Sequence, residues 1–158
     1  IPGRTGQLLS RDMLIELAEL DNLFAIKESS GDILLLQHLT LKTSKLIFSG
    51  DDPFFLPALS FGSPGLISVT SNIFPKTLVK VYELYQEKKS DEALHLFSKL
   101  KDINEILFCE TNPCPVKAAA HILGLCAPTL RLPLGEVSSE NFAKIKTVIL
   151  QTKEAVGE

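Results

Sequence analysis

The stretch that decides the fold is NLFAIKESSGD, residues 22–32. Its apolar run, LFAI, ends abruptly at Lys27 and is followed by a glutamate, two serines and a glycine. A short, continuous apolar run is typical of a strand that is buried on both faces of a parallel sheet. The pattern therefore predicts a buried strand with a lysine at its C-terminal end.

The same kind of unit recurs along the chain. Apolar runs at residues 23–27, 46–49 and 66–70 begin 23 and 20 residues apart, and a helical pattern follows each of them. Polar residues, prolines and glycines mark the junctions. Another helical pattern, at residues 10–20 with Ser10 as a candidate N-cap, precedes the first run. The βαβαβα order predicts right-handed crossovers and a parallel sheet.

Three parallel strands leave two open edges, so we expect them to be part of a larger sheet. Short units with glycine and polar residues after each strand are typical of a (β/α)₈ barrel. A barrel needs about 250 residues, so the sequence predicts its C-terminal half, with the last three strands and their helices at residues 1–89. A doubly wound sheet is the alternative, but neither G-x-G-x-x-G nor a P-loop follows any predicted strand.

From residue 90 onward the patterns are helical. Residues 90–108, 112–125 and 138–155 carry apolar side chains at helical spacing, and residues suited to helix ends flank them. This part of the chain contains no further strand pattern. It is predicted to form a C-terminal helical domain at residues 90–158.

The composition excludes several classes of partner. The chain is 45% hydrophobic and 22% charged, with a formal net charge of −3, so it offers no basic surface for nucleic acid. No apolar run approaches the roughly 18 residues of a membrane span, and no signal-peptide pattern opens the sequence. We therefore expect no membrane partner and a cytoplasmic location.

The three cysteines and three histidines do not form a metal-binding pattern. They lie far apart and lack the regular spacing of metal ligands. The sequence predicts neither a metal site nor a disulfide framework.

Lys27 lies where the catalytic groups of a barrel sit, at the C-terminal end of a predicted strand. Only an unprotonated amine is a nucleophile, and at neutral pH roughly one lysine in a thousand is unprotonated. We expect Phe24, Ala25 and Ile26 to supply apolar surroundings that favour a neutral amine. Glu28 is expected on the opposite face. The alternative is a lysine that simply reaches water.

Small polar residues also follow the other two predicted strands. SGDD, residues 49–52, places Gly50 where a small ligand could approach the backbone, and Asp51 and Asp52 follow it. GLISVTSN, residues 65–72, forms a third such end. Turn and helix-capping roles explain these residues equally well. The convergence of three strand ends is what indicates a site.

Six motifs together resemble the family of 4-hydroxy-tetrahydrodipicolinate synthases, also called dihydrodipicolinate synthases. The motifs are PGRTG (2–6), AIKESSGD (25–32), SGDD (49–52), GLISVTSN (65–72), NPCPVK (112–117) and LRLPL (130–134). Their order and spacing agree with the family over nearly the whole chain. The wider group of lysine-dependent pyruvate aldolases, which includes N-acetylneuraminate lyase, shares I-K-x-x-S-G. PGRTG, NPCPVK and LRLPL favour the synthase.

The resemblance implies roles for four residues. Lys27 matches the Schiff-base lysine that condenses with pyruvate, after which the enamine attacks aspartate 4-semialdehyde. Arg4 resembles the arginine that holds a substrate carboxylate, and Gly50 and Ile67 match positions whose backbone lines the pyruvate pocket. The implied enzyme is a class I, pyruvate-dependent lyase of lysine and diaminopimelate biosynthesis. It needs no cofactor and is a homo-oligomer in its full-length form.

One family residue has no match. The tyrosine that relays protons precedes the segment matched by Ile1 and Pro2, whereas Tyr82 and Tyr85 lie in the helical pattern after the third predicted strand. We therefore expect the isolated chain to be inactive or very weak. Two alternatives stay open: a related pyruvate aldolase that acts on a sugar acid, and a non-catalytic interaction fragment.

Overall fold

A pair of parallel strands organises the first part of the chain. The computed structural model describes residues 1–158, and these form two units, residues 1–68 and 69–158. In the first unit, β1 (Ala25–Glu28) pairs in parallel with β2 (Leu46–Ser49). The register places Lys27 beside Phe48. The first two predicted strands are therefore confirmed.

One face of this strand pair is covered by helices. α1 (Pro2–Thr5) and α2 (Arg11–Ala18) precede β1, α3 (Ile33–Lys42) connects β1 to β2, and α4 (Phe55–Ser60) follows β2. The core of the unit is formed by buried side chains from α3, β2 and α4, with partly buried apolar residues of α2 and β1 packed against it. Its buried members are Leu35, Leu36, Leu39, Ile47 and Ala58.

Local hydrogen bonds explain where the first helices begin. Ser10 Oγ accepts a hydrogen bond from the Met13 amide, which confirms Ser10 as the N-cap of α2. The carboxylate of Asp32 likewise accepts from the amides of Leu34 and Leu35 at the start of α3. Each cap satisfies amide groups that the helix itself leaves without a partner.

The third predicted strand, residues 66–70, is wrong in its extent. Only Leu66 forms a parallel bridge, with Ser49, through bonds from Ser49 N to Gly65 O and from Ile67 N to Ser49 O. A 3₁₀ turn at Thr70–Asn72 follows, and the Asn72 amide group bonds the carbonyl of Val69. Serine and asparagine side chains offer the backbone local hydrogen bonds, which compete with a strand ladder.

Helices make up the second unit. They are α5 (Pro75–Gln86), α6 (Ser90–Ser98), α7 (Lys101–Ile106), α8 (Cys114–Ile122) and α9 (Ser139–Val156). α5 packs against α6, and α9 packs against α7 and α8. The helices predicted at residues 112–125 and 138–155 are confirmed. None of the helices in the chain combines the length and the apolarity that a membrane crossing requires.

The single helix predicted at residues 90–108 is wrong, because the chain breaks it into α6 and α7. The Ser98 hydroxyl donates to the carbonyl of His95 at the end of α6, and Leu100 between the two helices is fully buried. Apolar periodicity continues across the break, so the pattern could not reveal it. The boundary between the two units of the structure lies between residues 68 and 69. The predicted end of the barrel part at residue 89 stays a prediction.

The start of α5 is capped by a residue that is distant in sequence. Its N-cap residue, Phe74, provides no side-chain hydrogen bond. The Glu158 carboxylate instead accepts from the amides of Lys76 and Thr77 at 3.2 and 2.9 Å, and from the Thr77 hydroxyl at 2.7 Å. A carboxylate at a helix N-terminus also interacts favourably with the helix dipole. This cap ties the end of the chain to α5.

We expect Glu158→Ala to lower the free energy of unfolding by about 1 kcal/mol, the usual cost of losing a helix cap. Thermal unfolding followed by circular dichroism measures the change. Glu154→Ala, in the last turn of α9, is the matched control and should leave the melting temperature unchanged or slightly raised. Equal melting temperatures for Glu158→Ala and the wild-type chain would contradict the capping role.

Candidate active site

The centre of the site is the contact between Lys27 and Gly50. Lys27 lies on the face of β1 opposite the helical layer, and Gly50 follows directly after β2. A Cβ atom on residue 50 would lie only 2.5 Å from Lys27 Cε. The end of the lysine side chain therefore occupies the space that the missing side chain of Gly50 leaves.

The backbone brings these two residues together. The amide of Gly50 donates to the carbonyl of Glu28 at 2.6 Å, and this bond continues the pairing of β1 and β2 beyond the last strand residue. In a parallel pair both C-terminal ends lie at the same edge, so the loops that follow them are neighbours. Lys27 and Gly50, which are 23 positions apart in sequence, thus meet at one end of the sheet.

The Asp51 carboxylate connects the two loops. Its Oδ1 accepts from the Ser29 hydroxyl at 2.8 Å, and its Oδ2 accepts from the Gly31 amide at 3.1 Å. The helix-capping role considered for Asp51 is not found, because Asp51 makes no side-chain cap to the 3₁₀ turn at Asp52–Phe54. The buried carboxylate of Asp52 accepts from the Ser68 hydroxyl.

Glu28 lies on the other face of β1, as the strand alternation predicts. Only 6% of it is exposed, and its Oε1 accepts from the Ser30 amide at 2.7 Å. Burial raises the pKa of Glu28 above its usual value, and the neighbouring carboxylates of Asp51 and Asp32 raise it further, whereas the hydrogen bonds from Ser30 act in the opposite direction. Folding therefore makes Glu28 easier to protonate than it is in the unfolded chain.

The apolar enclosure predicted around Lys27 is not found. Phe24 is 77% exposed, and Lys27 is itself exposed, while Ala25 and Ile26 are half-buried. The physical reason is that alternate strand residues face opposite sides. Ile26 packs against the helical core, away from Lys27. The apolar run thus marks the strand correctly without enclosing its lysine.

A cavity of about 310 Å³ lies beside Lys27 within the first unit. Its walls combine apolar side chains with the polar end of β1 and the loop that follows it. The lining residues are Ile1, Pro2, Thr5, Gln7, Leu8, Leu9, Leu14, Ile26, Lys27, Glu28, Ser29, Ser30, Leu35 and Leu39. Because Ile26, Leu35 and Leu39 belong to the helical side of β1, the cavity lies mainly along that side and not on the open face that carries the Lys27 side chain.

The other two predicted site residues lie outside this group. Arg4 belongs to α1, and its neighbours Pro2 and Thr5 line the cavity, but Arg4 is not among the lining residues. Ile67 is connected to the site through its amide, which donates to the Ser49 carbonyl at 2.8 Å. The binding roles of Arg4 and Ile67 stay predictions. No three His, Cys, Asp or Glu side chains are grouped as metal ligands would be.

Sequence reasoning missed the pairing of Ser29 with Asp51. Both residues were visible as polar residues after strands, and each has an ordinary local explanation as a loop or cap residue. Only the parallel register of β1 and β2 brings their side chains within hydrogen-bond distance. The available signal was the presence of a hydroxyl and a carboxylate after adjacent strands.

Comparison with known proteins identifies close relatives. A model described as the dihydrodipicolinate synthetase family matches residues 1–152. The chain is 41% identical over 152 residues to a 4-hydroxy-tetrahydrodipicolinate synthase of Methanospirillum hungatei, covering 94% of the chain and 52% of the relative. The chain thus spans about half the length of the curated relatives it matches.

Solved structures show the same partial coverage. The 4-hydroxy-tetrahydrodipicolinate synthase of Methylacidiphilum fumariolicum SolV matches with a TM-score of 0.93 and 38% identity, over 99% of the chain and 53% of the neighbour. The chloride-inhibited dihydrodipicolinate synthase of Acinetobacter baumannii, complexed with pyruvate, matches with a TM-score of 0.89 and 35% identity, over 96% and 53%. The likeness confirms the predicted fold, the C-terminal half of a (β/α)₈ barrel followed by helices.

The raised pKa of Glu28 predicts how stability changes with pH. A group whose pKa is raised on folding stabilises the fold at low pH, and this contribution is lost as the pH rises through the folded-state value. In Glu28→Gln that loss is absent, and the amide oxygen can still accept from Ser30. We therefore expect the variant to lose less stability than the wild type between pH 4 and pH 7.

Urea unfolding at several pH values measures this difference. Glu16→Gln, at an exposed position of α2, is the matched control and should follow the wild-type pH profile. The assignment of the pH effect to Glu28 is wrong if Glu28→Gln shows that same profile.

Proposed function

Because the chain belongs to the dihydrodipicolinate synthetase family, we propose that it carries the Schiff-base lysine of a pyruvate-dependent lyase. In this proposal Lys27 forms an imine with pyruvate, and the derived enamine condenses with aspartate 4-semialdehyde. The product is 4-hydroxy-tetrahydrodipicolinate, in lysine and diaminopimelate biosynthesis. The enzyme class is that of the lysine-dependent aldolases.

The observation that carries the proposal is the position of Lys27 over Gly50. The lysine is at the C-terminal end of a parallel strand, where the active sites of (β/α)₈ barrels form. The Cε atom of Lys27 lies against the backbone of Gly50, and the Lys27 amine takes part in no ion pair. An amine so placed can reach a small carbonyl compound. The pyruvate complex of the Acinetobacter baumannii relative supports the choice of carbonyl compound.

The proposed chemistry divides one difficult bond formation into easier steps. The neutral amine of Lys27 attacks the ketone carbon of pyruvate, and the resulting carbinolamine loses water to give an imine. Loss of a proton from the methyl group gives the enamine, whose carbon attacks the aldehyde carbon of the second substrate. The amino group that came from aspartate 4-semialdehyde then attacks the imine carbon, which closes the ring of the product and releases the amine of Lys27; the one water lost overall is the one that left when the imine formed.

Other residues would bind the substrates. The Arg4 guanidinium is proposed to hold a carboxylate, for which its planar, permanently charged fork is suited. The backbone at Gly50 and Ile67 is proposed to line the pyruvate pocket. These reactions need no cofactor. A homo-oligomeric full-length protein and a cytoplasmic location stay predictions from the sequence and the resemblance.

The proton transfers need a further group. Tyr82 and Tyr85 both lie on α5, and neither matches the tyrosine that the resemblance implies. A positioned acid or base typically accelerates such transfers by about 10² to 10⁴-fold. We therefore propose that the 158-residue chain alone forms the imine but turns over aspartate 4-semialdehyde very weakly or not at all.

Reductive trapping tests the role of Lys27. Incubation of the chain, and of the natural polypeptide that contains it, with pyruvate and borohydride should reduce the imine and leave one adduct. Peptide mass spectrometry should locate this adduct on Lys27. Lys27→Ala should abolish both the adduct and the turnover of the natural polypeptide, whereas Lys42→Ala, an exposed control on α3, should retain both.

Two results would overturn the proposal. Turnover by the natural polypeptide with Lys27→Ala would exclude the lysine as nucleophile. A preference for a sugar-acid precursor over aspartate 4-semialdehyde, in a panel of aldehyde acceptors, would replace the synthase with the related aldolase.

Gly50→Ala tests whether Lys27 needs the space that the missing side chain of Gly50 leaves. The added Cβ would lie 2.5 Å from Lys27 Cε and 2.7 Å from Ser29 Cβ, so the lysine must move. Because a displacement of about 1 Å can cost roughly 10²-fold in rate, we expect adduct formation to slow by about that factor.

The control is Gly135→Ala, where an added Cβ would meet nothing within 4 Å. It should form the adduct at the wild-type rate. Unchanged trapping by folded Gly50→Ala would show that the lysine does not depend on this space.

A further inference from the structure

We propose that Ser29 and Asp51 are positioning residues that hold the Lys27 side chain over Gly50. The proposal rests on the proposed function of Lys27 as the nucleophile. It assigns neither residue a contact with the reacting atoms. Their role is to restrict where the flexible lysine side chain can lie.

The first step of the argument is that Asp51 is itself held in place. The Ser49 hydroxyl donates to the Asp51 carbonyl at 3.1 Å and accepts from the Asp51 amide at 3.2 Å. Ser49 is buried at the end of β2. The backbone that carries the Asp51 carboxylate is therefore attached directly to the sheet.

The second step is that Asp51 fixes the loop after β1 at two points. One carboxylate oxygen accepts from the Ser29 hydroxyl and the other from the Gly31 amide. A hydrogen bond to a charged acceptor is stronger than one between neutral groups. The pair of bonds determines both the path of the loop and the direction of the Ser29 side chain.

The third step is that Ser29 and Lys27 lie against the same small area of backbone. The position of a Cβ on residue 50 would be 2.5 Å from Lys27 Cε, 2.7 Å from Ser29 Cβ and 2.9 Å from Ser29 Oγ. The lysine and serine side chains therefore lie beside the same point above Gly50, and Ser29 Oγ lies there while it is bonded to Asp51.

The bond to Asp51 holds the Ser29 side chain, and the backbone that carries it, in this position beside Lys27. With its hydroxyl engaged, Ser29 forms a fixed wall beside Lys27, whose four-carbon side chain is otherwise flexible. Imine formation requires the amine to approach the carbonyl carbon at a defined distance and angle. The loss of either Ser29 or Asp51 should therefore slow the attack more than it weakens the binding of pyruvate.

The experiment measures the rate of adduct formation on Lys27 in the natural polypeptide, with borohydride and increasing pyruvate concentrations. The variants are Ser29→Ala, Asp51→Asn and the double variant. Ser60→Ala is the matched control, because the Ser60 hydroxyl lies in the same unit but donates to the Leu56 carbonyl within α4, away from the site. Thermal unfolding identifies any variant that fails to fold.

We expect both single variants to lower the rate at saturating pyruvate about tenfold or more, with less than a twofold change in the half-saturating concentration. Because the two residues act through one bond, the double variant should be no slower than the slower single variant. Ser60→Ala should match the wild type. If Asp51→Asn does not fold, Ser29→Ala and Ser60→Ala decide the outcome.

Several results would overturn the proposal. A wild-type rate for folded Ser29→Ala would overturn it, and so would equal losses of rate for Ser29→Ala and Ser60→Ala. An effect confined to the half-saturating concentration would also overturn it. These results leave the proposed function intact, because the wild type still forms the Lys27 adduct. Absence of that adduct from the wild type would instead remove the proposed function, and this inference with it.

Discussion

The parallel pairing of β1 with β2 is the constraint on which the site depends. Its register sets Lys27 beside Phe48 and Glu28 beside Ser49, and the bond from the Gly50 amide to the Glu28 carbonyl extends it by one residue. A shift of one residue would turn every side chain of a strand to the opposite face. Lys27 would then point into the helical layer, so the register determines whether the lysine can meet a ligand at all.

The same alternation separates two charged groups with different requirements. Lys27 lies on the open face, whereas the next residue, Glu28, is buried, and its pKa is raised by that burial. A buried carboxyl group is tolerated when it is hydrogen-bonded or protonated. The Ser30 amide provides the hydrogen bond, through the loop that Asp51 also holds. The loop after β1 thus provides a hydrogen bond to Glu28 on one face of the strand, while its bonds to Asp51 hold it near Lys27 on the other.

The sequence predicted those features that depend on nearby residues. Apolar runs identified β1 and β2, and Ser10 identified the start of α2, because burial and capping leave a local pattern. The extent of the third strand and the break at Leu100 were wrong, since each depends on competing hydrogen bonds and packing. The role of Lys27 came from family resemblance. The Ser29–Asp51 pair could not be predicted without the register that brings the two residues together.

The surroundings of Lys27 show what a short segment of a barrel can build by itself. The residues that place the lysine stem, from Glu28 to Asp51, all belong to the unit of residues 1–68 and are joined by the bonds of two neighbouring strand ends. Apolar enclosure has a different origin, because it needs side chains from several directions at once. Phe24, just before β1, and Lys27 both remain exposed to water. Two adjacent strands therefore suffice to position the Lys27 side chain, while its exclusion from water requires contacts that these two strands do not supply.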